Sequence, residues 1–229
     1  MINLVTEMDR LSEAEIVGIL NREFPEFGIL AEESDEKRGG TPYRWILDPL
    51  DGTTNYAHGY PFFSISLALE KDGEVVWGIV YDPLREEIFM GELGKGASVN
   101  GKLLKVSATE NVGSSFLCTG FPYDVRESSE NNLSYFNRFT KTARAIRRDG
   151  SAALDLSYVA MGCFDGFWEV KLHPWDTAAG SLIVKEAGGQ VTDFKGAPFS
   201  LNGNELLASN GLIHKDMVTV LSYREGNSA

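Results

Sequence analysis

The chain is poor in cysteine and in long apolar runs, and each shortage excludes a class of protein. It has two cysteines among 229 residues, without CxxC spacing, so neither a disulfide framework nor a structural zinc site is indicated and two reduced thiols are expected. No apolar run approaches the roughly 20 residues that span a bilayer, and the N-terminus lacks the basic-then-apolar pattern of a signal peptide. We therefore expect a cytoplasmic protein.

Basic side chains are also scarce. There are 21 of them against 33 acidic ones, which gives a formal net charge of −12, and the longest basic run is the pair Arg147 and Arg148. A field of this sign repels nucleic acid and anionic membranes unless a cation intervenes. We expect neither as a partner.

The chain alternates between helical and strand patterns without an internal repeat or a flexible linker. Ser12 and Glu15 have the spacing of a capping box, and apolar residues follow at helical intervals. The predicted helices cover residues 12–24, 129–146 and 151–161, with a fourth from about Asp176 to the glycines at 188–189. The predicted strands cover residues 45–48, 64–69, 75–80, 88–90 and 164–170. Antiparallel hairpins beside several helices predict a layered α/β or α+β sandwich.

Two carboxylates leave one of these strands together, in the sequence WILDPLDGTTNY at residues 45–56. The strand is expected to end at Asp48, because Pro49 cannot donate a hydrogen bond to a neighbouring strand. Asp51 and the Gly-Thr-Thr that follows have the composition of a turn that opens a helix.

Further acids follow other apolar segments: Glu32 and Glu33 near the N-terminus, and Asp176 before the Ala-rich helix. Hard divalent cations prefer carboxylate and carbonyl oxygens, and Mg²⁺ is usually held by a few carboxylates plus substrate phosphate. Taken singly, each acid also fits a simpler role, such as a turn former at Asp51 or a helix N-cap at Asp176. Glu32 and Glu33 could be solvated surface charges.

The whole pattern resembles the inositol monophosphatase family. Residues 48–55 match its signature DPxDGTxN, and residues 175–189 match its second signature, WDxAAGxxxxxEAGG. Shorter segments extend the resemblance to about residue 210, at positions 4–9, 31–33, 94–97, 100–101 and 150–153. The resemblance implies a layered αβαβα sandwich of the sugar-phosphatase type, with residues 1–229 as a single domain. Its metal-site half would be residues 1–145 and its substrate-site half residues 146–229.

The resemblance also implies a Mg²⁺ centre. Glu32, Asp48 and the backbone carbonyl of Leu50 would hold one ion, and Asp48 would bridge to a second ion that is also held by Asp51 and Asp176. Some members hold a weaker third ion near Glu32. Such a centre activates a water molecule with one metal and stabilises the leaving oxygen with another.

Three catalytic residues are implied: Thr53, Asp9 and Glu32. The Thr53 hydroxyl, oriented by Asp9, would help to position and deprotonate the attacking water, since a hydroxyl relays a proton only when an acceptor lies behind it. Without the resemblance, Asp9 would fit equally well as an acid favoured by a helix dipole. The backbone N–H groups of Gly52 and Thr53 would cradle the phosphate.

The substrate is expected to contact Asp51, Gly52, Thr53, Gly150, Ser151, Ala152, Glu169 and Asp176. Carboxylates suit hydroxyl donors, although Glu169 could instead end a strand on a solvated face. A bisphosphate would need a second cationic anchor, for which Arg147, Arg148 and Lys171 are the candidates.

The expected function is therefore hydrolysis of inositol monophosphate by metal-activated water in a homodimer, with the lithium sensitivity of many relatives. Segment 119–124 resembles microbial inositol and sugar phosphatases, so fructose 1,6-bisphosphate is the second candidate substrate. Histidinol phosphate and 3′-phosphoadenosine nucleotides are used elsewhere in the family. The alternative of another class is a non-enzymatic regulator that binds transcription or ribosome-assembly machinery.

Two features depart from the family pattern. Relatives usually carry a further helix before the position of Asn3, and we expect that helix to be absent here. Cys163 stands where many bacterial relatives have Arg. Two other features are expected to be structural: His173 as a loop residue before a proline, and the glycines at 94–96 as a hairpin turn without P-loop spacing.

Overall fold

This computed structural model describes residues 5–222, which form two β-sheets and six α-helices. Residue 4, the first of the family segment at 4–9, lies outside the described residues. The first part of the chain contains α1 (Glu7–Glu23), β1 (Gly28–Ala31), β2 (Tyr43–Asp51), α2 (Thr53–Ala57), β3 (Ser64–Lys71), β4 (Glu74–Asp82), β5 (Glu87–Glu92), β6 (Gly96–Val99) and β7 (Lys102–Leu103). The remainder contains β8 (Phe116–Thr119), α3 (Leu133–Thr140), β9 (Ala145–Arg147), α4 (Ala152–Ala160), β10 (Gly166–Val170), α5 (Pro174–Glu186), β11 (Gln190–Thr192), β12 (Glu205–Ser209) and α6 (His214–Ser222).

The first sheet has seven strands in chain order, from β1 to β7. Only β1 and β2 are parallel in it, and the other neighbours are antiparallel. The second sheet has the order β11-β12-β10-β8-β9, with β8 parallel to both of its neighbours. No helix among the described residues is long and apolar enough to cross a membrane.

Three apolar clusters define the layers. The first packs α1 through Leu20 on one face of the first sheet, against Trp45 and Leu47. The second fills the space between the sheets, where α4 and α5 lie. The third packs Phe139 of α3 and Met217 of α6 on the outer face of the second sheet. The order of layers is α1, first sheet, α4 with α5, second sheet, α3 with α6, so the predicted αβαβα sandwich is confirmed.

Helix α5 packs tightly on the first sheet. A Cβ atom at Gly78 would lie 2.8 Å from the Cα of Ala179, and one at Gly91 would lie 3.2 Å from the side chain of Ile183. These glycines let the helix backbone approach the strands. The close packing fixes the start of α5 beside the end of β2.

The predicted start of the first helix is wrong. The helix begins at Glu7, with Thr6 as its N-cap and Asp9 as the other half of the capping box. Ser12 instead donates a hydrogen bond to the carbonyl of Pro49, 3.0 Å away. Two overlapping capping patterns occur in the sequence, and the upstream one forms because Thr6 and Asp9 satisfy each other's polar groups.

The strand predicted to end at Asp48 continues to Asp51. Its pairing with β3 breaks after Asp48 and resumes where Asp51 faces Ser64. Pro49 therefore lies in a bulge, which is where a residue without an N–H group is tolerated within a sheet. The bulge turns both acids toward the same edge.

The helix predicted over residues 129–146 is mostly wrong, because only Leu133–Thr140 is helical. Residues 145–147 form the edge strand β9 on β8. The strand predicted from residue 164 begins at Gly166. The hairpin strands, the helices near residues 151–161 and 176–188, and the turn at 94–96 are confirmed, and both cysteines are free thiols.

Candidate active site

Four acids meet where β1 and β2 end and α5 begins, and we name this group the acidic corner: Glu32, Asp48, Asp51 and Asp176. Because β1 and β2 are parallel, with Ala31 opposite Leu47, the residues that follow them leave the sheet at the same edge. One carboxylate oxygen from each of the three aspartates lies within 4.8 Å of the others. Glu32 lines the same opening as these aspartates.

Backbone and hydroxyl donors orient Asp51. Its Oδ2 accepts hydrogen bonds from Ser151 Oγ at 2.6 Å and from Ala153 N at 2.7 Å. Ser151 is also the N-cap of α4, so one side chain joins the start of that helix to the acidic corner. Ser151, expected to contact the substrate, thus holds an acid in place.

The other two aspartates are held by local backbone donors. Asp48 Oδ1 accepts from Leu50 N at 3.0 Å within the bulge. Asp176 Oδ2 accepts from His173 N at 2.7 Å, as the capping box of α5. His173 is the N-cap of that helix and its ring stacks on Trp175, which agrees with the structural role expected for it.

Burial raises the pKa of each member of the acidic corner, and neighbouring negative charges raise those of Glu32, Asp48 and Asp176 further. The pKa of Glu32 rises to about 7, first because of burial and then because of the charges of Glu33 and Asp51. Burial raises the pKa of Asp51 to about 6. Those of Asp48 and Asp176 rise well above the usual range, again chiefly through burial. None of the four forms an ion pair with a described basic side chain. The set lacks a positive charge, and its oxygen donors fit a hard divalent cation.

Thr53 and Asp9 lie together beside this corner, 44 positions apart in the chain. Thr53 Oγ1 is 3.0 Å from Asp9 Oδ1 and 3.1 Å from the carbonyl oxygen of Leu50. Both side chains are buried. The second oxygen of Asp9 accepts from the backbone N–H and hydroxyl of Thr6. The capping box of α1 therefore orients the acceptor behind Thr53.

Gly52 forms the turn between β2 and α2. Its φ of +95° lies in the left-handed region, which glycine adopts without strain. An added Cβ would lie 3.0 Å from the carbonyl oxygen of Phe62 and 3.2 Å from that of Gly150. The bare backbone at this turn faces both cavities of the site.

Glu169 reaches the site from the end of β10 and is almost fully buried. Its carboxylate lies against Gly120, where an added Cβ would come within 2.2 Å of both carboxylate oxygens. Asn132 Nδ2 donates to the Gly120 carbonyl at 2.5 Å, and the indole N–H of Trp168 donates to Asn132 at 2.7 Å. A buried amide therefore fixes the backbone that makes room for Glu169.

Two connected cavities adjoin the acids. The larger one, about 590 Å³, extends from the acidic corner past residues 121–124 and 169–175. The smaller one, about 140 Å³, lies over Gly52 and the segment at 150–152 and includes Glu169. Asp51 and Asp176 border both. The structure thus brings all of the predicted site residues to one place, with Asp9 behind Thr53.

The three predicted anchors for a second phosphate differ in position. Lys171 Nζ is bound to Asp124 at 2.7 Å and to Ser128 at 2.8 Å. The Arg147 guanidinium lies over the ring of Phe116. Only Arg148 lines the smaller cavity, and no ion pair joins it to a described acid.

Sequence reasoning gave no role to Asn55, Gly120 or Asp155. Asn55 Nδ2 donates to the carbonyls of Phe62 and Asp149, both at 2.7 Å, and so ties α2 to the segment before α4. Asn55 is the last residue of the signature at 48–55, and this position in the signature could have indicated a role in the site. Asp155 is the one acid in an otherwise apolar helix. Gly120 carries no local signal, because its neighbour Glu169 is distant in sequence.

The chain is similar in sequence to known proteins over almost its whole length. A family model described as "Inositol monophosphatase family" matches residues 2–225. The chain is 43% identical over 221 residues to "Inositol-1-monophosphatase" of Synechocystis sp., covering 96% of this chain and 77% of that one. It is 40% identical over 218 residues to "Nus factor SuhB" of Escherichia coli (strain K12), covering 94% and 81%.

A solved structure shows the same fold. The inositol monophosphatase from Anabaena (Nostoc) sp. superposes with a TM-score of 0.92 at 45% sequence identity, and the match covers 96% of this chain and 87% of that one. The structural likeness therefore extends over nearly the whole chain.

Proposed function

Because the chain belongs to the inositol monophosphatase family, we propose that it is a metal-dependent phosphomonoesterase that hydrolyses inositol monophosphate. The acidic corner carries this proposal. Three aspartate oxygens within 4.8 Å of one another, with raised pKa values and no basic partner, form an arrangement that repels itself until a cation joins it.

Mg²⁺ is the ion that we propose, since every available donor is a carboxylate or carbonyl oxygen. Glu32, Asp48 and the Leu50 carbonyl would hold one ion, while Asp48, Asp51 and Asp176 would hold another. When bound, Mg²⁺ supplies charge neutralisation, a lowered pKa for water and stabilisation of the leaving oxygen. The cations would also allow a protein of net charge −12 to accept an anionic substrate.

Thr53 and Asp9 would accept the proton of the attacking water. Glu32, a proposed metal ligand, is the third catalytic residue. The Thr53 hydroxyl donates to Asp9 at 3.0 Å, so its oxygen lone pairs are available to a water molecule on its other side. As that water loses a proton, Thr53 can pass its own proton to Asp9. Thr6 holds Asp9 in the required orientation.

The substrate would lie across the two cavities. We propose that the N–H groups of Gly52 and Thr53 bind the phosphate, because the glycine turn leaves the backbone uncovered. Glu169, Asp176 and the segment 150–152 would bind the hydroxyl groups of the alcohol. Asp51 joins the two regions, since Ser151 holds it at the border of both cavities.

One observation favours fructose 1,6-bisphosphate as a second substrate. Arg148 lines the smaller cavity and makes no ion pair with a described acid, so it is free to bind a distal phosphate. Arg148→Ala should lower turnover of the bisphosphate about tenfold or more, the loss of one charge-assisted hydrogen bond, and leave that of inositol monophosphate within about twofold. Equal losses on the two substrates would assign Arg148 another role.

A regulatory role is the second candidate function, because a relative at 40% identity is named "Nus factor SuhB". Retention of all four acids of the corner favours the enzyme. Phosphate release from inositol monophosphate, fructose 1,6-bisphosphate, histidinol phosphate and a 3′-phosphoadenosine nucleotide, with Mg²⁺ and with chelator, tests the proposal. We expect Mg²⁺-dependent release that is fastest from inositol monophosphate; none from any substrate would reject the phosphatase and favour the regulator.

The homodimer, the lithium sensitivity and the cytoplasmic location stay predictions. Sedimentation of the full chain tests the first, and lithium titration of the phosphatase assay tests the second. Cell fractionation tests the third.

A further inference from the structure

An acid that the proposed mechanism does not use borders the smaller cavity. Asp155 lies on the first turn of α4, is 1% exposed, and lines this cavity together with Glu169 and Gly150. Its Oδ1 atom is buried and has no hydrogen-bond partner among the described residues. Buried polar atoms are almost always paired, so an orphaned oxygen on a carboxyl group that lines a cavity needs an explanation.

A second buried acid shows what the fold does elsewhere. Asp165, 6% exposed, accepts from Ser107 Oγ through one oxygen and from Phe116 N through the other. This acid joins the segment at Ser107 to the start of β8 and borders neither cavity of the site. Asp165 is therefore a buried acid whose two oxygens are paired within the protein, whereas Asp155 lines the cavity with one oxygen unpaired.

The cavity has room for a small ligand. Its volume of about 140 Å³ is many times the ~10–15 Å³ that holds one water molecule. Glu169 borders it too, with its carboxylate against Gly120. Asp155 and Glu169 are the two carboxyl groups on this cavity that lie outside the acidic corner, and they match an alcohol that carries at least two hydroxyl groups.

We propose that Asp155 is a specificity-determining residue that binds a hydroxyl group of the substrate's alcohol, beside the hydroxyl bound by Glu169. This inference rests on the proposed phosphatase function and deepens it, since it restricts the leaving group to a compact polyol. Burial, followed by the charges of Asp149 and Glu169, raises the pKa of Asp155 well above its usual range. The neutral carboxyl can both donate to and accept from a hydroxyl group.

Two variants separate binding from structure. Asp155→Leu keeps the number and branching of the side-chain heavy atoms and removes the hydrogen bond, whereas Asp155→Asn keeps a polar group. Because Leu removes a buried polar atom that lacks a partner, we expect its Tm to be unchanged or about 2–4 °C higher. Asp165→Asn, the matched buried acid, should lower Tm and leave substrate choice unchanged.

Steady-state kinetics then compare inositol monophosphate with p-nitrophenyl phosphate, whose leaving group lacks further hydroxyl groups. For Asp155→Leu we expect KM for inositol monophosphate to rise about 10- to 100-fold, with kcat/KM for the aryl phosphate changed less than about threefold. Asp155→Asn should restore part of the loss. Equal losses on both substrates, or a lower Tm for the Leu variant, would overturn the proposal.

Binding of free myo-inositol gives a readout that does not require turnover. Inositol should raise the Tm of the wild-type protein in the presence of Mg²⁺ and should not raise that of Asp155→Leu. If the wild type releases no phosphate but shows this difference, the phosphatase function fails and the polyol subsite stands. If inositol shifts both proteins equally, or neither, the subsite is rejected whatever the phosphatase assay shows.

Discussion

Two regions at opposite ends of the second sheet bury polar side chains, and they satisfy them differently. At the start of β10, Ser209 and Thr192 hold the ring of His214, which opens α6. Ser209 Oγ lies 2.8 Å from Nδ1 and Thr192 Oγ1 lies 2.8 Å from Nε2. We name these three residues the α6 junction. Both ring nitrogens and both hydroxyls have partners within the protein.

At the other end of β10, the acidic corner has like charges as neighbours and Asp155 has an orphaned oxygen. Unmet polar groups destabilise a fold, so a region that keeps several of them is expected to have a ligand that meets them. The α6 junction is complete without any ligand. Burial alone therefore does not mark a site; at the acidic corner, burial coincides with like charges and with two cavities.

The largest expected effect comes from removing one charge of the acidic corner. Asp48→Asn keeps the shape but weakens the proposed bridge between two ions. We expect phosphate release to fall about 10³-fold or more, because metal stabilisation of the transition state is worth several kcal/mol. The metal-free Tm should not fall, since the substitution relieves repulsion among buried acids.

A matched control exists for this variant. Asp72 lies in the exposed turn between β3 and β4 with φ of +51°, a conformation that Asn tolerates. Asp72→Asn should keep full activity and stability. Full activity in Asp48→Asn, measured beside it by phosphate release, would show that the metal assignment is wrong.

The second prediction concerns pH and Mg²⁺ together. The folded pKa values of Glu32, about 7, and Asp51, about 6, lie above the ordinary 4.5 and 3.8. The unfolded chain therefore loses these protons first, so their contribution to metal-free stability is greatest below about pH 4 and is lost as pH rises through 6 to 7. Mg²⁺ binds the deprotonated acids.

Saturating Mg²⁺ should consequently stabilise the protein more as pH rises from 5 to 8. When the Mg²⁺ concentration is about 100 times its dissociation constant, mass action raises the free energy of unfolding by about 2.7 kcal/mol. This is equivalent to a Tm increase of about 5–10 °C for a chain of this size. Thermal melts with Mg²⁺ and with EDTA across this range measure it. An increase that is independent of pH would contradict the protonation states assigned to the acidic corner.

A smaller effect is expected from the glycine beside Glu169. Gly120→Ala would place a methyl group within 2.2 Å of the carboxylate, which must then move. We expect KM for inositol monophosphate to rise about tenfold, with a smaller change in kcat, because hydroxyl binding is disturbed and the metal acids are not.

The control for this substitution is Gly18→Ala in α1, where an added Cβ meets nothing within 4 Å. Alanine at an exposed helical position should stabilise the protein by about 0.5–1 kcal/mol and leave KM unchanged. If Gly120→Ala also leaves KM unchanged, Glu169 does not bind the substrate alcohol.

Local patterns in the sequence predicted the hairpins and a layered α/β or α+β sandwich. The resemblance to the family added the αβαβα order of layers and the acids of the corner: Asp48, Asp51 and Asp176 lie in the two long signatures, and Glu32 lies in a shorter matching segment. The sequence could not predict that Pro49 lies in a bulge between paired residues, since bulges depend on the register of β3. It placed the first capping box at Ser12, six residues after the N-cap at Thr6, because two local patterns compete and tertiary contacts decide between them.

Other parts of the site had no local signal at all. The position of Glu169 depends on Gly120 and on the amide of Asn132, which approach it only in the folded chain. The helix predicted across 129–146 overran the edge strand β9, whose pairing with β8 is non-local. Local propensity is a weak guide where a short strand forms through tertiary contacts.

The smallest expected effect concerns the α6 junction. Its contribution to stability depends on pH in the direction opposite to that of the acidic corner. Burial lowers the pKa of His214 to about 4, below the ordinary 6.5, so the unfolded chain binds the proton first. This contribution to stability is complete above pH 6.5 and is lost as pH falls toward 4.

In EDTA, a fall in pH should therefore stabilise the acidic corner and destabilise the α6 junction. His214→Gln removes the second effect only, so its Tm should fall less steeply than that of the wild type between pH 6.5 and 4. At pH 7.5 it should melt about 2–4 °C lower, for about 1 kcal/mol of lost hydrogen bonding. The exposed His58 is the control, because His58→Gln should change neither quantity; parallel Tm–pH curves for His214→Gln and the wild type would show that the junction does not exclude the proton.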